Sequence, residues 1–371
     1  MVEIRYRPLG FHEVPGWATD DVGAALKPFA DCAAALNALT SQISSPGSSY
    51  GAHLAALSRE ALKLARPDCN ADNGRSFFEA NFQPCAVEHD GEYGLLTGYY
   101  EPMLQASRVA TQRFKVPIYK RPDELINAVN DALRGAAGIA FTHLRQTKHG
   151  LEPFAERAAI EQGALDGRGL ELLYFEDAIE VFFLHVQGSG IAVLPDGQRI
   201  RVGYDGKNGY PYTSIGRYVA DQGWLPHASI TLDTLKDWLK SDPQRARQTM
   251  WQNKSFIFFR ELGDADAVSA HGVHNIPLTA GRSLAVDAGF HHIGLPVFVS
   301  SPGLDDLVPF SQSVSQSAFQ RLLIAQDVGS AIIGPERGDF FYGSGDRAGA
   351  LAGRTKHSCN FFVLIPRSSL G

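Results

Sequence analysis

Only four of the 371 residues are cysteine, and no two stand as C-x-x-C. A thioredoxin-type redox centre and a cysteine-rich zinc knuckle are thereby excluded. Cys69 and Cys85 are near enough in sequence to close a short loop in an oxidising compartment; small unpaired core residues are the equal alternative. Long apolar runs are also missing. Val181-Phe182-Phe183-Leu184 is typical, far below the roughly 18 residues that a membrane span needs. There is no basic excess, with 34 Lys+Arg against 40 Asp+Glu and a net charge of -6, so nucleic acid is not an expected partner. No HExxH, Gly-x-Ser-x-Gly or Walker sequence occurs, which sets aside the zinc-protease helix, the hydrolase elbow and the phosphate loop. Met1–Tyr6 lacks a basic head followed by an apolar core, so no signal peptide is expected in the sequence as it stands.

Glycine and proline, by contrast, are plentiful at 37 and 20 residues, and aromatic residues make up 10%. With 44% hydrophobic and 20% charged residues this is the balance of a folded globular chain, and its length predicts about two domains. Many turns and many rings favour β-rich architecture over a helical bundle. Helices are predicted at 20–39, with Val22, Leu26, Phe29, Ala33 and Leu36 on one face and Asp20 or Asp21 as cap, and at 52–65. Asp123–Leu133 reads as a third, and 229–240 and 243–251 as two more, the last opened by Asp242 and Pro243. Short strands are predicted at Tyr93–Tyr100, Lys115–Tyr119, Leu170–Phe175, Val181–Val186, Phe256–Phe259, Leu295–Val299, Leu322–Gln326 and Phe361–Ile365.

Chemistry is concentrated near the C-terminus. Ile324-Ala325-Gln326-Asp327-Val328-Gly329-Ser330 places one carboxylate between an apolar strand and a Gly-Ser turn. Desolvation there raises a carboxyl pKa and keeps a proton available near neutrality; a helix N-terminus after the turn would lower it. A simple turn-capping aspartate is the alternative. Asp339 and Asp346 follow in a glycine- and aromatic-rich stretch, the composition of a carbohydrate cleft or of ordinary turns. Gly98-Tyr99-Tyr100-Glu101-Pro102, Gln187-Gly188-Ser189-Gly190 and Lys207-Asn208-Gly209-Tyr210 offer amide, hydroxyl and ring groups on tight backbone. His271, His274, His291 and His292 have no accompanying metal motif, so no metal and no cofactor is expected.

Taken together, these segments resemble the MltA family of lytic murein transglycosylases. The likeness runs in order through Phe11–Trp17, Arg75–Pro84, Gly94–Pro102, Gly167–Gly190, Val202–Arg217, Asn253–Phe259, Pro277–Asp287 and Ala325–Gly353. It implies a mainly β fold with accessory helices. Two β-barrel domains, one a double-psi barrel, would flank a substrate groove, with residues 1–104 and 254–371 forming the catalytic domain and 105–253 the inserted one. It also implies cleavage of the β-1,4 bond between N-acetylmuramic acid and N-acetylglucosamine without water, leaving a 1,6-anhydromuramoyl end.

On this resemblance Asp327 is the catalytic acid and then base. Asp339 and Asp346 would hold the sugar or tune Asp327. Tyr99, Tyr100, Glu101, Gln187, Gly188, Ser189, Gly190, Lys207, Asn208, Tyr210, Gly329 and Ser330 would line or support the groove. The implied partners are peptidoglycan glycan strands and cell-wall synthesis or hydrolysis complexes, with the protein itself a monomer. The implied location is the periplasm, associated with the outer membrane, although neither a leader nor a lipobox stands in this sequence and Cys32 lies too deep to be an anchor. His185 occupies a position where the family pattern leads one to expect glutamine. The residues by themselves also fit a two-carboxylate hydrolase, with Asp339 or Asp346 as base or nucleophile, or a peptidoglycan-binding protein without catalysis.

Overall fold

The structure, a computed structural model, describes residues 4–42, 49–65, 71–91, 94–127, 141–262, 269–302, 304 and 318–369. The chain divides into two compact units. The first comprises Met1–Tyr100, Ser269–Gly343 and Arg354–Gly371, and the second Glu101–Val268 and Ser344–Gly353.

In chain order the first unit opens with strand β1 (Ile4–Pro8), helices α1 (Leu26–Asp31), α2 (Ala33–Gln42), α3 (Ser49–Leu64) and α4 (Ala71–Asn81), then β2 (Phe82–His89) and β3 (Gly94–Glu101). The second unit continues with β4 (Met103–Ser107), β5 (Val116–Tyr119), β6 (Leu125–Asn127), β7 (His143–Thr147), β8 (Gly150–Glu152), a short α5 (Arg157–Ala159) and β9 (Glu171–Phe175). It is completed by α6 (Ala178–Gln187), β10 (Ser189–Val193), β11 (Arg199–Lys207), α7 (Ile215–Asp221), α8 (Leu232–Lys240), α9 (Pro243–Met250) and β12 (Ile257–Glu261). The chain then supplies β13 (Ser283–Val286), β14 (Pro296–Pro302), β15 (Ala318–Val328) and β16 (Arg337–Ser344), a helix α10 (Asp346–Ala352), and finally β17 (Lys356–Pro366).

In the first unit, strands β17, β14, β15, β13, β16 and β3 pair in that order, and β3 pairs back onto β17 from Thr97↔Lys356 to Gly94↔Cys359. That return closes a six-stranded barrel and leaves β2 and β1 as an outer extension. Only β13 with β15 runs parallel among the registered pairs of this unit. Val297, Phe298, Leu322, Leu323, Phe340, Phe361 and Val363 are buried in its core. The N-terminal helices are tied to the barrel by a buried ion pair. Arg282 grips both carboxylate oxygens of Asp20 at 2.9 and 3.0 Å, and Asp20 also accepts the Leu322 N–H at 2.8 Å. Asp20 therefore does not cap the first helix. The predicted 20–39 helix is interrupted at Cys32 into α1 and α2, after a 3-10 turn at Val22–Ala25.

The second unit carries a six-stranded sheet in the order β12, β11, β10, β4, β9, β5, whose two end strands lie against each other, and a small sheet of β6, β7 and β8. Val181–Val186, expected as a strand, is the middle of helix α6. Asp177 caps its start by accepting the Ile179 N–H at 2.7 Å, and Gly188 ends it at φ 81°. The Val181–Leu184 stretch is apolar throughout because the helix is covered twice. Val181 and Leu184 pack on the sheet residues Leu173, Ala192 and Val202, while Ile179, Phe182 and Phe183 pack on Ile215, Val219, Leu235 and Leu239 of α7 and α8. The helix expected from Asp123 is also corrected: Asp123 and Glu124 form a turn, Leu125–Asn127 is strand β6, and 128–133 lie outside the described residues.

Cys32, Cys85 and Cys359 are free thiols in buried positions, and Cys69 lies outside the described residues. Among the described residues no helix is long and apolar enough to cross a membrane, and no group of three or more His, Cys, Asp or Glu gathers as metal ligands. His291 is instead buried, its Nε2 2.5 Å from the Pro335 carbonyl oxygen.

Candidate active site

Asp327 and Asp339 meet across one residue. On its parallel neighbour β15, Ala285 pairs with Asp327; on its antiparallel neighbour β16, it pairs with Asp339. Paired residues in adjacent strands put their side chains on one face. Two carboxylates therefore flank a methyl group, with no larger side chain between them.

A local irregularity makes this alignment. The β13–β15 register runs Leu284↔Ala325 and then Ala285↔Asp327, so Gln326 is an inserted residue. In an uninterrupted strand Asp327 would share a face with Ala325; the bulge turns it over to the face of Ala285. Gln326 fixes the bulge from inside. It is fully buried, accepts the Ser283 hydroxyl at 2.5 Å and donates to the Pro28 carbonyl at 2.9 Å.

Burial raises the Asp327 carboxyl from its ordinary value to about 7. The Val328 N–H at 2.9 Å, the nearby Tyr99 hydroxyl and the Val273 N–H oppose that rise, and the charge of Asp339 adds to it. Asp339 is raised to about 6, again chiefly by burial. Thr97 donates to it at 2.6 Å and itself accepts from the Arg337 guanidinium at 2.9 Å, so hydroxyl and cation together restrain the shift. Two carboxyls with ionisations near neutrality on one face are the combination that proton-transfer catalysis needs.

Tyr99 completes the cluster. Its ring lies 5.1 Å from that of Phe341 and packs on the patch formed with Ala270 and Leu278. Its hydroxyl is buried with no hydrogen-bond partner of good geometry among the described residues, and it faces the charges of Asp327 and Asp339. Burial first, and those charges second, hold it protonated well above the usual tyrosine range. Above Asp327 the backbone crosses at Gly272, where an added Cβ would stand 2.2 Å from the Gln326 carbonyl oxygen and 3.1 Å from the Asp327 Cβ. Only glycine permits so close an approach.

Other expected residues have different settings. Gly329 and Ser330 form the exposed turn after β15, closed by Ile332 N–H to the Gly329 carbonyl at 2.9 Å. Tyr100 is buried next to Tyr99 in β3. Asp346 belongs to the second unit, exposed at the first position of α10, where a carboxylate favours the helix N-terminus. Glu101, fully buried, is bound by Arg201 at 2.8 and 3.1 Å and by the Ser344 hydroxyl at 2.6 Å. Asn208 is fully buried too: its amide donates to the Ala155 and Lys254 carbonyls and its oxygen accepts the Phe256 N–H. Both are committed to internal partners.

Gln187, Gly188 and Ser189 are half-buried at the α6–β10 junction; Gly190 is buried, where a Cβ would meet Leu184 at 2.4 Å. Lys207 and Tyr210 are half-buried, Tyr210 edge-on to Phe141 at 5.0 Å. His185 is buried and neutral, its pKa pushed far down by burial and then by Arg157, whose guanidinium lies 3.2 Å from Nδ1. Thr97 and Arg337 were not singled out by the sequence: strand pairing brings Thr97 to Asp339, and Arg337, two residues from Asp339 in β16, reaches it through the Thr97 hydroxyl.

Comparison with known proteins now bears on this geometry. A family profile described as the MltA specific insert domain matches residues 95–260, and one for the 3D domain matches 282–365. The fold superposes on the membrane-bound lytic murein transglycosylase of Agrobacterium tumefaciens with a TM-score of 0.84, at 33% identity over 98% of each chain. The chain belongs to the MltA family. MltA of Neisseria gonorrhoeae, in its monoclinic form, is similar at a TM-score of 0.76 and 32% identity, over 99% of this chain and 94% of that one. Membrane-bound lytic murein transglycosylase A of Vibrio cholerae is 32% identical over 266 residues, 71% of this chain and 63% of that protein. The chain thus spans less than two thirds of that relative's length. Within the MltA architecture, Asp327 and Asp339 fall in the 3D-domain match, and Tyr99, Gln187, Ser189, Lys207 and Tyr210 in the insert match.

Proposed function

We propose that this MltA-family chain is a lytic transglycosylase that cleaves the β-1,4 bond between N-acetylmuramic acid and N-acetylglucosamine in peptidoglycan. The observation that carries the reading is Asp327, a carboxyl with a pKa near 7 turned onto the face of Asp339 by the bulge at Gln326. At neutral pH a substantial share of Asp327 holds a proton. It donates that proton to the glycosidic oxygen as the C1–O bond breaks. The resulting carboxylate then accepts the proton of the muramoyl C6 hydroxyl as that oxygen bonds to C1. Acid and base are one group, the nucleophile is tethered to the substrate, and no water is consumed.

Asp339 acts by charge. Held by Thr97 and Arg337, it favours the protonated form of Asp327 before the reaction. The Tyr99 hydroxyl supports the carboxylate afterwards. Gln187, Ser189, Lys207 and Tyr210 supply sugar contacts from the insert, whereas Glu101 and Asn208 shape the backbone that carries them. A periplasmic location with outer-membrane association follows from the substrate and from the membrane-bound designation of the relatives.

The test is mass spectrometry of murein sacculi digested by the protein and by an Asp327→Asn variant. Disaccharide products one water lighter than hydrolytic ones, absent with the variant, are the expected result. Reducing-end products would instead make the enzyme a two-carboxylate hydrolase, with Asp339 as the second group.

A further inference from the structure

Apart from the carboxylate face of the first unit, the second unit carries an aromatic cavity of about 290 Å³, open to solvent, between α7 with the turn after it and α9. Tyr218, Trp224, Trp251, Arg245, Gln248 and Gln252 line it. Trp224 is the most informative of these. It is 46% exposed, although tryptophan is a ring that folding normally covers.

Nor is Trp224 loosely held. Gly223 at φ 72° ends α7, with its N–H on the Ala220 carbonyl and the Trp224 N–H on the Val219 carbonyl, which fixes the backbone from which the ring projects. The ring stacks on Trp238 at 5.6 Å and 19°, and Tyr218 meets it edge-on at 5.8 Å. Trp238 is itself packed against the α6–α8 core, with the Arg245 guanidinium 4.0 Å over its ring. Trp251 is oriented by its indole N–H, which donates to Glu161 at 2.7 Å. A rigid, partly solvent-facing ring has already lost the rotamer freedom that binding would otherwise remove.

The chemistry of the lining selects the ligand class. Aromatic faces attract the C–H groups on one side of a pyranose ring, because the face is electron-rich and those hydrogens are electron-poor. Gln248 and Gln252 bring side-chain amides that match hydroxyl and acetamido groups, with the Gln252 Nε2 held by the Gln248 carbonyl at 3.2 Å. Among the described residues Arg245 is the one charged group in the lining; its Nη2 donates to the Trp238 carbonyl at 2.7 Å and the Ser241 hydroxyl at 2.6 Å, which fixes a positive charge there that suits a chain bearing carboxylates. A single cation is too little for a polyphosphate backbone, which calls for several. We propose that this cavity is a second glycan-binding site, taking the N-acetylated amino-sugar chain of peptidoglycan. The proposal rests on the peptidoglycan reading above and adds a place where a strand is held independently of catalysis.

The experiment uses purified sacculi as the probe and the Asp327→Asn protein, which is expected not to digest them. Sedimentation with sacculi compares that protein with versions also carrying Trp224→Ala or Trp224→Tyr, and thermal unfolding checks that each is folded. Expected is retention about three- to tenfold weaker for Trp224→Ala, the range of a lost aromatic contact, and largely restored for Trp224→Tyr. Equal retention of all three overturns the second site, even when wild type gives anhydro products. If wild type gives no anhydro products but retention still depends on Trp224, the transglycosylase reading fails and the glycan site stands.

Discussion

Replacing Asp327 by asparagine should make the protein more stable above neutral pH. The variant keeps the size of the side chain and an oxygen for the Val328 N–H, but it removes a charge that the fold holds unfavourably. Moving a carboxyl from 3.8 to about 7 corresponds to about 4 kcal/mol at 1.36 kcal/mol per pH unit. The asparagine amide must also be accommodated beside Tyr99 and Asp339, which reduces the expected gain to about 2–3 kcal/mol. The sign has a definite pH window. Below pH 4 the aspartic acid is protonated whether the chain is folded or unfolded, so the variant gains nothing. Between pH 4 and 7 only the unfolded state releases the proton, and the wild-type penalty grows; above pH 7 it is complete. Urea unfolding of both proteins at pH 4 and pH 8.5 reads this directly. Equal stabilities at pH 8.5, or a gain of the same size at pH 4, would refute the assignment of Asp327 as a buried acid held near neutrality.

Three further perturbations probe the surroundings. Thr97→Val removes the hydroxyl that favours ionised Asp339, so the Asp339 pKa rises above about 6 and its charge supports protonated Asp327 less well; the alkaline limb of the pH–activity profile is expected to move to lower pH. Gly272→Ala forces the backbone away from the Gln326 carbonyl and the Asp327 Cβ, and a stability loss of about 1–3 kcal/mol in denaturant, with a clear fall in anhydro-product formation, is expected. Asn208→Ala takes the amide from the Ala155 and Lys254 carbonyls, the latter keeping the Arg157 N–H at 3.1 Å, and strands the buried Phe256 N–H, so the thermal midpoint is expected to drop by an amount equivalent to about 1–3 kcal/mol.

Much of the barrel could be read in the chain, because strands such as Leu295–Val299 and Phe361–Ile365 are short β-branched and aromatic runs between turn residues. Helix α6 could not be read that way. A segment buried on two sides shows no polar face, and without that face periodicity does not separate helix from strand. Its end signals, Asp177 and Gly188, carried the information that the apolar run did not. Asp327 stood out in the sequence as a carboxylate among apolar neighbours, and its role came from family resemblance. Its pairing with Asp339 through Ala285 depends on a one-residue slip in register, and the segment 324–328 contains no residue type that announces a bulge. Asp346, seven residues from Asp339 in sequence, stands at the first position of α10 in the second unit, so nearness in the chain did not decide its place in the fold.

Closure of the barrel also has a consequence for how the protein comes into being. Thr97 and Tyr99 lie just before the long Glu101–Val268 segment of the second unit, while Asp327 and Asp339 come well after it. The ring of strands is completed only when Lys356–Cys359 pairs with Gly94–Thr97, a contact bridging some 260 residues. Contacts of such separation form late, since the intervening chain must first be brought into order. During synthesis the insert can organise while β3 still lacks its barrel partners, and the acid cluster has no existence until β13 to β17 have emerged. An acid cluster assembled last is absent from every incomplete chain.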